Sequence, residues 1–185
     1  MSTATNNLIP TGTWNIDASH SSIEFRVKHL GIATVKGQFR DFSGALVVGD
    51  TPEATTVTGT IDPASIDTRE SDRDAHLRSP DFFDAGKHPQ VTFTSTAFRP
   101  VDDEAFEIDG DLTIRGITKS VRLAGEVQGQ ETDPWGNQRV ALELTGQISR
   151  GDFGMTFNQV LGSGNLLVGD KVKLELQLST VKASD

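Results

Sequence analysis

The chain of 185 residues contains no cysteine. A disulfide framework, thiolate catalysis and any Cys-ligated metal centre are thereby excluded. No apolar stretch reaches the roughly 18 residues that a transmembrane helix needs. Basic residues are outnumbered by acidic ones, 17 to 26. Phosphate-backbone recognition draws on clustered Lys and Arg, so no nucleic-acid partner is expected. The first residues, MSTATNNLIPTG, lack the basic start and apolar core of a secretory signal. With Met1 as the natural start the expected location is cytoplasmic; with a trimmed start it is periplasmic. The histidines, His20, His29, His76 and His88, show neither HxH nor HExxH spacing, and no metal site is assigned. Ser19-His20-Ser21 has no G-x-S-x-G elbow around it. Neighbours on a strand also point to opposite faces, which leaves His20 badly placed as a base for either serine. No catalytic residue is assigned.

What the chain does have is alternation. In the stretch Thr13 to Phe39, Ile23, Phe25 and Val27 fall on one side, while Ser22, Glu24, Arg26 and Lys28 fall on the other. That is a strand with one dry and one wet face. The pattern recurs at Val35/Gly37/Phe39, Val57/Gly59/Ile61, Val91/Phe93, Phe106 to Ile114, Val121 to Val127, Val140 to Ile148 and Val172 to Leu178. Phe42, Gly44, Leu46 and Val48 continue in the opposite phase, so a bend or bulge is expected at Arg40-Asp41. About eight strands at such spacing suit an antiparallel sandwich or barrel. One-sided dryness and recurrent glycines on the dry face (Gly37, Gly44, Gly59, Gly110, Gly125, Gly146) favour a closed barrel. The glycines serve either curvature alone or the approach of another group to bare backbone.

One segment breaks the pattern. Asp67-Thr68-Arg69-Glu70 resembles a capping box, and a short helix is expected over 69–78, anchored by Leu77, Phe82 and Phe83 and covering one barrel end. Asp74 and Arg78 are spaced for an i,i+4 pair. Residues 1–11 are small and polar and are expected to be disordered, leaving one domain over 12–180. An eight-stranded barrel is either filled by side chains or holds one small ligand, and alternation does not distinguish the two.

Four blocks, in order, resemble a known family: TWNIDASHSSIEFRVKHLGIATVKGQF, SIDTRESDRDAHLRSPDFFDAGKHPQVTF, GDLTIRGITKSVRL and ISRGDFGM followed by a strand after VGDKV. They are similar to the YceI-like, polyisoprenoid-binding proteins over about residues 12–179. The resemblance implies a lipocalin-like extended antiparallel β-barrel enclosing a long isoprenoid or related amphiphile, without enzymatic activity and with no cofactor beyond the bound lipid. An isoprenoid quinone, a prenyl alcohol or a related lipid is the implied ligand, and a homodimer is possible. The tunnel would be lined by Ile23, Phe25, Val27, Phe39, Phe42, Leu46, Phe82, Phe83, Phe93, Leu112, Ile114, Leu123, Leu142, Leu144, Phe153, Phe157, Leu174 and Leu176. The carried-over motifs place His20, Ser21, His29, Arg78, Asp81 and Arg150 at the mouth, facing a head group. Two other readings stay open: an enzyme on a lipid-like substrate with a mouth histidine as acid or base, and a filled barrel acting as a stress or interaction module.

Overall fold

A computed structural model describes residues 8–184. Its elements are β1 (Gly12–Ile16), β2 (Ser22–His29), β3 (Ala33–Phe39), β4 (Phe42–Val48), β5 (Thr56–Ile61), β6 (Ile66–Asp67), α1 (Ser71–Arg78), β7 (Val91–Pro100), β8 (Ala105–Ile114), β9 (Ile117–Thr132), β10 (Gln138–Ser149) and β11 (Val168–Lys182). All pairings are antiparallel between neighbours, and the ring closes where β1 and β2 both flank β11. The eleven segments make eight barrel strands, because β1/β2, β3/β4 and β5/β6 are each one strand with a break. The fold is the expected closed antiparallel barrel.

The three breaks lie side by side and each begins at an aspartate or its neighbour. Asp17 caps the one-turn 3₁₀ segment Ala18–His20, accepting the Ser19 N–H, and Asp62 caps Pro63–Ser65 in the same way through the Ala64 N–H. Between them Arg40 and Asp41 donate backbone N–H groups to Ser65 O and Ser65 Oγ. Short polar side chains that bond their own backbone are what interrupts a ladder without orphaning it. The phase change at Arg40-Asp41 is therefore the expected bend.

The helix starts two residues later than the sequence suggests. Glu70, not Asp67, is the N-cap, with its carboxylate accepting from the Asp72 and Arg73 N–H groups. Asp67 is already engaged by Arg40 and by the Arg69 N–H. Asp74 does not serve the expected pair with Arg78. It is buried and accepts from Thr68 N–H at 2.8 Å and Thr68 Oγ1 at 2.5 Å, tying the helix to the chain that enters it.

The barrel has two unlike ends. One is plugged: Trp14, Phe106, Ile108 and Val140 are almost fully buried and pack together with Leu46, Leu142 and Phe98. Ile9 joins them at 2% exposure, and Trp14 Nε1 donates to Pro10 O at 2.8 Å. The expected disordered tail thus gives way by Leu8, because an apolar residue there has a core to enter; the expectation for residues 1–7 lies outside the described residues. At the other end the turns 30–32 and 115–116, the helix and the segment 150–167 gather as a lid.

At the plugged end, the turn Asp133 to Asn137 is held by Asp133, which accepts from the Trp135 and Asn137 N–H groups and from Arg139 Nε. Arg139 Nη1 also reaches Asp17. The Arg139 guanidinium, with those N–H donors, pulls the Asp133 carboxyl from 3.8 down to about 2. A depressed carboxyl contributes stability above its unfolded value and loses it as pH falls through the folded one. An Arg139→Gln variant should therefore show a flatter decline of Tm between about pH 4 and 2 than the parent, read by thermal unfolding across that range. Parallel curves would contradict it.

Candidate ligand-binding site

Interior positions near the lid end enclose a cavity of about 190 Å³ with an almost wholly apolar wall. Ile23, Phe25 and Val27 of β2, Phe39 of β3, and Leu174 and Leu176 of β11 form one side. Phe93 of β7, Leu112 and Ile114 of β8, Leu123 of β9 and Leu144 of β10 form the other, and Phe82 and Phe83 after the helix close the end. Phe39 stands between Phe25 and Phe83, its ring 5.6 Å from each and edge-on to Phe83.

Five expected tunnel residues lie elsewhere. Leu46 and Leu142 face a small separate void toward the plugged end, divided from the cavity by Ile16, Val57, Leu144 and Leu178, which line both. Phe42 fills the space behind Phe39 and Ile66. Phe153 is buried in packing under the lid, and Phe157 stacks edge-on to His76 with centroids 4.8 Å apart. The inner space is thus a blind pocket in half a barrel and not a through-going tunnel, because Trp14, Phe98, Phe106 and Ile108 pack together across the other half.

The interior glycines divide by what faces them. A Cβ at Gly125 would meet the Phe106 ring at 2.2 Å, and one at Gly37 the Phe25 ring at 2.2 Å. Each lies directly across the ladder from that phenylalanine, so the approaching group is an aromatic ring lying on bare backbone. Gly59 differs: a Cβ there meets only Ser43 O, at 3.7 Å, and Gly59 lines the cavity.

The polar residues assigned to a mouth scatter. His20 and Ser21 sit on the outer wall at the break after β1, where Ser21 Oγ donates to Asp17 O and accepts the Ser179 N–H, replacing a ladder bond that the break removes. His20 Nδ1 meets both Asp17 Oδ2, at 2.8 Å, and Ser19 Oγ, at 3.1 Å. Both partners share one ring nitrogen, so the group cannot pass a proton from serine through imidazole to carboxylate. Asp81 pairs with His76 Nε2 at 2.8 Å, and Arg78 ends the helix; neither lines the cavity. His29 ends β2 in the inward phase, opposite Val168, which does line it.

Arg150 alone of the six reaches the wall. It is 5% exposed, and its guanidinium donates to Gly169 O at 2.7 Å, Met155 O at 2.6 Å and Val168 O at 3.2 Å, with its Cζ 5.9 Å from the centroid of the Phe82 ring. Burial lowers its pKa, and Asp170 opposes that shift. Asp170 in turn accepts from Ser149 Oγ and the Gly151 N–H. Arg115, which sequence reasoning did not single out, holds a left-handed turn (φ 56°) with Gly116 and donates to Phe82 O and Gly154 O, joining the two halves of the lid. Most of the apolar lining residues not foreseen fall into two kinds. Val57, Ile61, Val91, Val121, Ile148 and Val172 follow the same inward phase, so alternation could have found them. Met155 and Leu77 lie in irregular or helical segments with no such signal.

The profile of the YceI-like domain matches residues 14–180. A UPF0312 protein of Pectobacterium carotovorum is 45% identical over 141 residues, covering 76% of this chain and 73% of its own. The Escherichia coli O157:H7 protein YceI is 43% identical over 138 residues, covering 74% and 72%. A polyisoprenoid binding domain from Saccharophagus degradans superposes with TM-score 0.71 over 92% of this chain and 98% of its own; at 15% identity the likeness is one of fold. The chain belongs to the YceI-like family.

Proposed function

We propose that the protein is a non-enzymatic binder of an isoprenoid or similar apolar-chain amphiphile, acting as a carrier or store. The observation that carries this reading is the apolar cavity of about 190 Å³ enclosed by the barrel wall and lid. Apolar cavities of about 150 Å³ stay dry and take up benzene-sized molecules, so this one suits one or two isoprene units. A five-carbon unit contributes roughly 4 kcal/mol gross at about 0.8 kcal/mol per buried carbon. Two units contribute roughly 8 kcal/mol gross, which after several kcal/mol for ordering the chain leaves roughly millimolar to submillimolar affinity from the enclosed units alone. The Saccharophagus degradans domain that shares this fold is a polyisoprenoid binding domain, the same ligand class.

The size sets a chain-length expectation. Titrating prenyl alcohols of increasing length, followed by calorimetry, should show affinity rising steeply over the first units and then levelling as further units remain outside. Organic extraction of the purified protein followed by mass spectrometry identifies the natural lipid. Absence of saturable binding by any prenyl alcohol or isoprenoid quinone would overturn the carrier reading. A filled-barrel interaction module is the weaker reading because only the plugged half is filled.

A further inference from the structure

Two turns lie against each other at the lid end. In the β2–β3 turn, Leu30 is held left-handed (φ 58°), its N–H donating to Leu167 O at 3.0 Å while its carbonyl accepts from Asn165 Nδ2 at 3.3 Å. The second turn is a small hairpin whose strands meet at the single bridge Val160–Leu166. Their tips are apolar and turned to solvent: Ile32 is 79% exposed, Val160 69% and Leu166 44%. Clustered apolar residues in such positions contribute nothing to the core and mark a contact surface.

Just below them the outer wall is cationic in a chain of net charge −9. Lys173 pairs across the ladder with Arg26, and Arg26 with Lys36, while exposed Lys28 and Lys171 lie along the same strands. Like charges in register weaken a sheet. Glu175 offsets this only for Arg26, at 3.1 Å. Of the other nearby carboxylates, Asp170, hydrogen-bonded to Ser149 and Gly151, also acts on Arg150 and Lys171, and Glu24 lies deeper along β2, which leaves Lys28, Lys36 and Lys173 without an ion pair among the described residues. A row of cations that costs the fold something calls for an anion outside it. At about 3.3 Å per residue these side chains sit roughly 10 Å from the Ile32 tip, about one Debye length.

We propose that this end of the barrel docks on an anionic bilayer, with Ile32, Val160 and Leu166 entering the interfacial layer and the lysines meeting the head groups. Val27 and Val168, which line the cavity, lie directly behind the same turns, so the docked end is the one nearest the pocket. The proposal rests on the carrier reading for its purpose, but the two are measured separately.

The full chain is sedimented with vesicles of phosphatidylcholine alone and with added phosphatidylglycerol, at low and high salt. Pelleting is expected only with the anionic vesicles and should weaken with salt. A Lys28→Glu/Lys36→Glu variant should partition at least roughly thirtyfold less, from about fivefold per lysine, and Ile32→Ser/Val160→Ser should also lose binding. All four positions are surface positions, and both variants should take up prenyl alcohol in vesicle-free solution as the parent does. Equal pelleting on uncharged vesicles, or undiminished binding by the charge-reversed variant, overturns the proposal. A dimer in ultracentrifugation that Ile32→Ser/Val160→Ser dissolves, with no vesicle binding, overturns it in favour of a second copy. Loss of prenyl-alcohol uptake by the parent itself would instead strike at the carrier reading.

Discussion

Replacing Gly59 by leucine is expected to abolish uptake of an isoprenoid chain while leaving the barrel folded and slightly more stable. Gly59 sits on β5 between Gly44 and Phe93, and a Cβ there meets nothing closer than Ser43 O at 3.7 Å. Its φ is not in the left-handed region, so a side chain adds no backbone strain. The leucine can extend only into the cavity, where its four carbons occupy about the space of one isoprene unit. Losing one unit costs the ligand roughly 4 kcal/mol, near a thousandfold in affinity. Filling an apolar void and restricting the unfolded chain both act to raise Tm. The opposite signs are the useful part. Calorimetric titration with a prenyl alcohol beside a thermal melt separates a blocked pocket from a damaged fold, and unchanged affinity in a folded variant would show that ligand lies elsewhere. Alanine at Gly125 makes a contrast, since its Cβ would enter the buried Phe106 ring and not free space.

The second large effect is at Arg150. An Arg150→Leu variant keeps an apolar wall but strips the donors from Gly169, Met155 and Val168 carbonyls. Charge-assisted bonds are worth about 1.5–3 kcal/mol each, and breaking such a buried set typically costs about 3–5 kcal/mol in total. For a chain of this size that lowers Tm by roughly 10 °C, measurable by urea or thermal unfolding. Arg150→Lys should recover part of it, since an ammonium still donates but lacks the planar fork. The motif resemblance assigns Arg150 to a head group, and that role makes a different prediction: a large loss of affinity with stability nearly unchanged. A melt of the leucine variant within a degree or two of the parent would favour the head-group role over the clamp.

Much of the fold was legible because alternation is a local property. Ile23, Phe25 and Val27 point inward in any closed sheet, and the pairs Phe25–Gly37 and Phe106–Gly125 then follow from register. The bend at Arg40-Asp41 could be read because a single residue out of phase turns every later side chain to the other face. The helix start was misplaced by two residues because Asp67, a good cap in isolation, is claimed by Arg40 from another strand. His20 and Ser21 stand in a motif that resembles a lipid-binding family, yet His20 bonds Asp17 and Ser19 on the outer wall, and Ser21 Oγ bridges the broken ladder between Asp17 and Ser179.

By itself the sequence determined the number of strands, their inward faces, the helix that covers one end and the family the chain resembles. Each of these follows from spacing along the chain or from contiguous blocks. Only the tertiary structure decided that the barrel is plugged at the Trp14 end and hollow at the lid end, that Arg150 clamps carbonyls, and that Gly59 opens onto the pocket. Cavity volume is what remains after side chains from eight strands have packed against one another. Leu142 and Leu144 share a strand and a phase, yet only Leu144 lines the pocket, because Leu142 lies one level deeper, among Phe106 and Ile108 at the small void toward the plugged end.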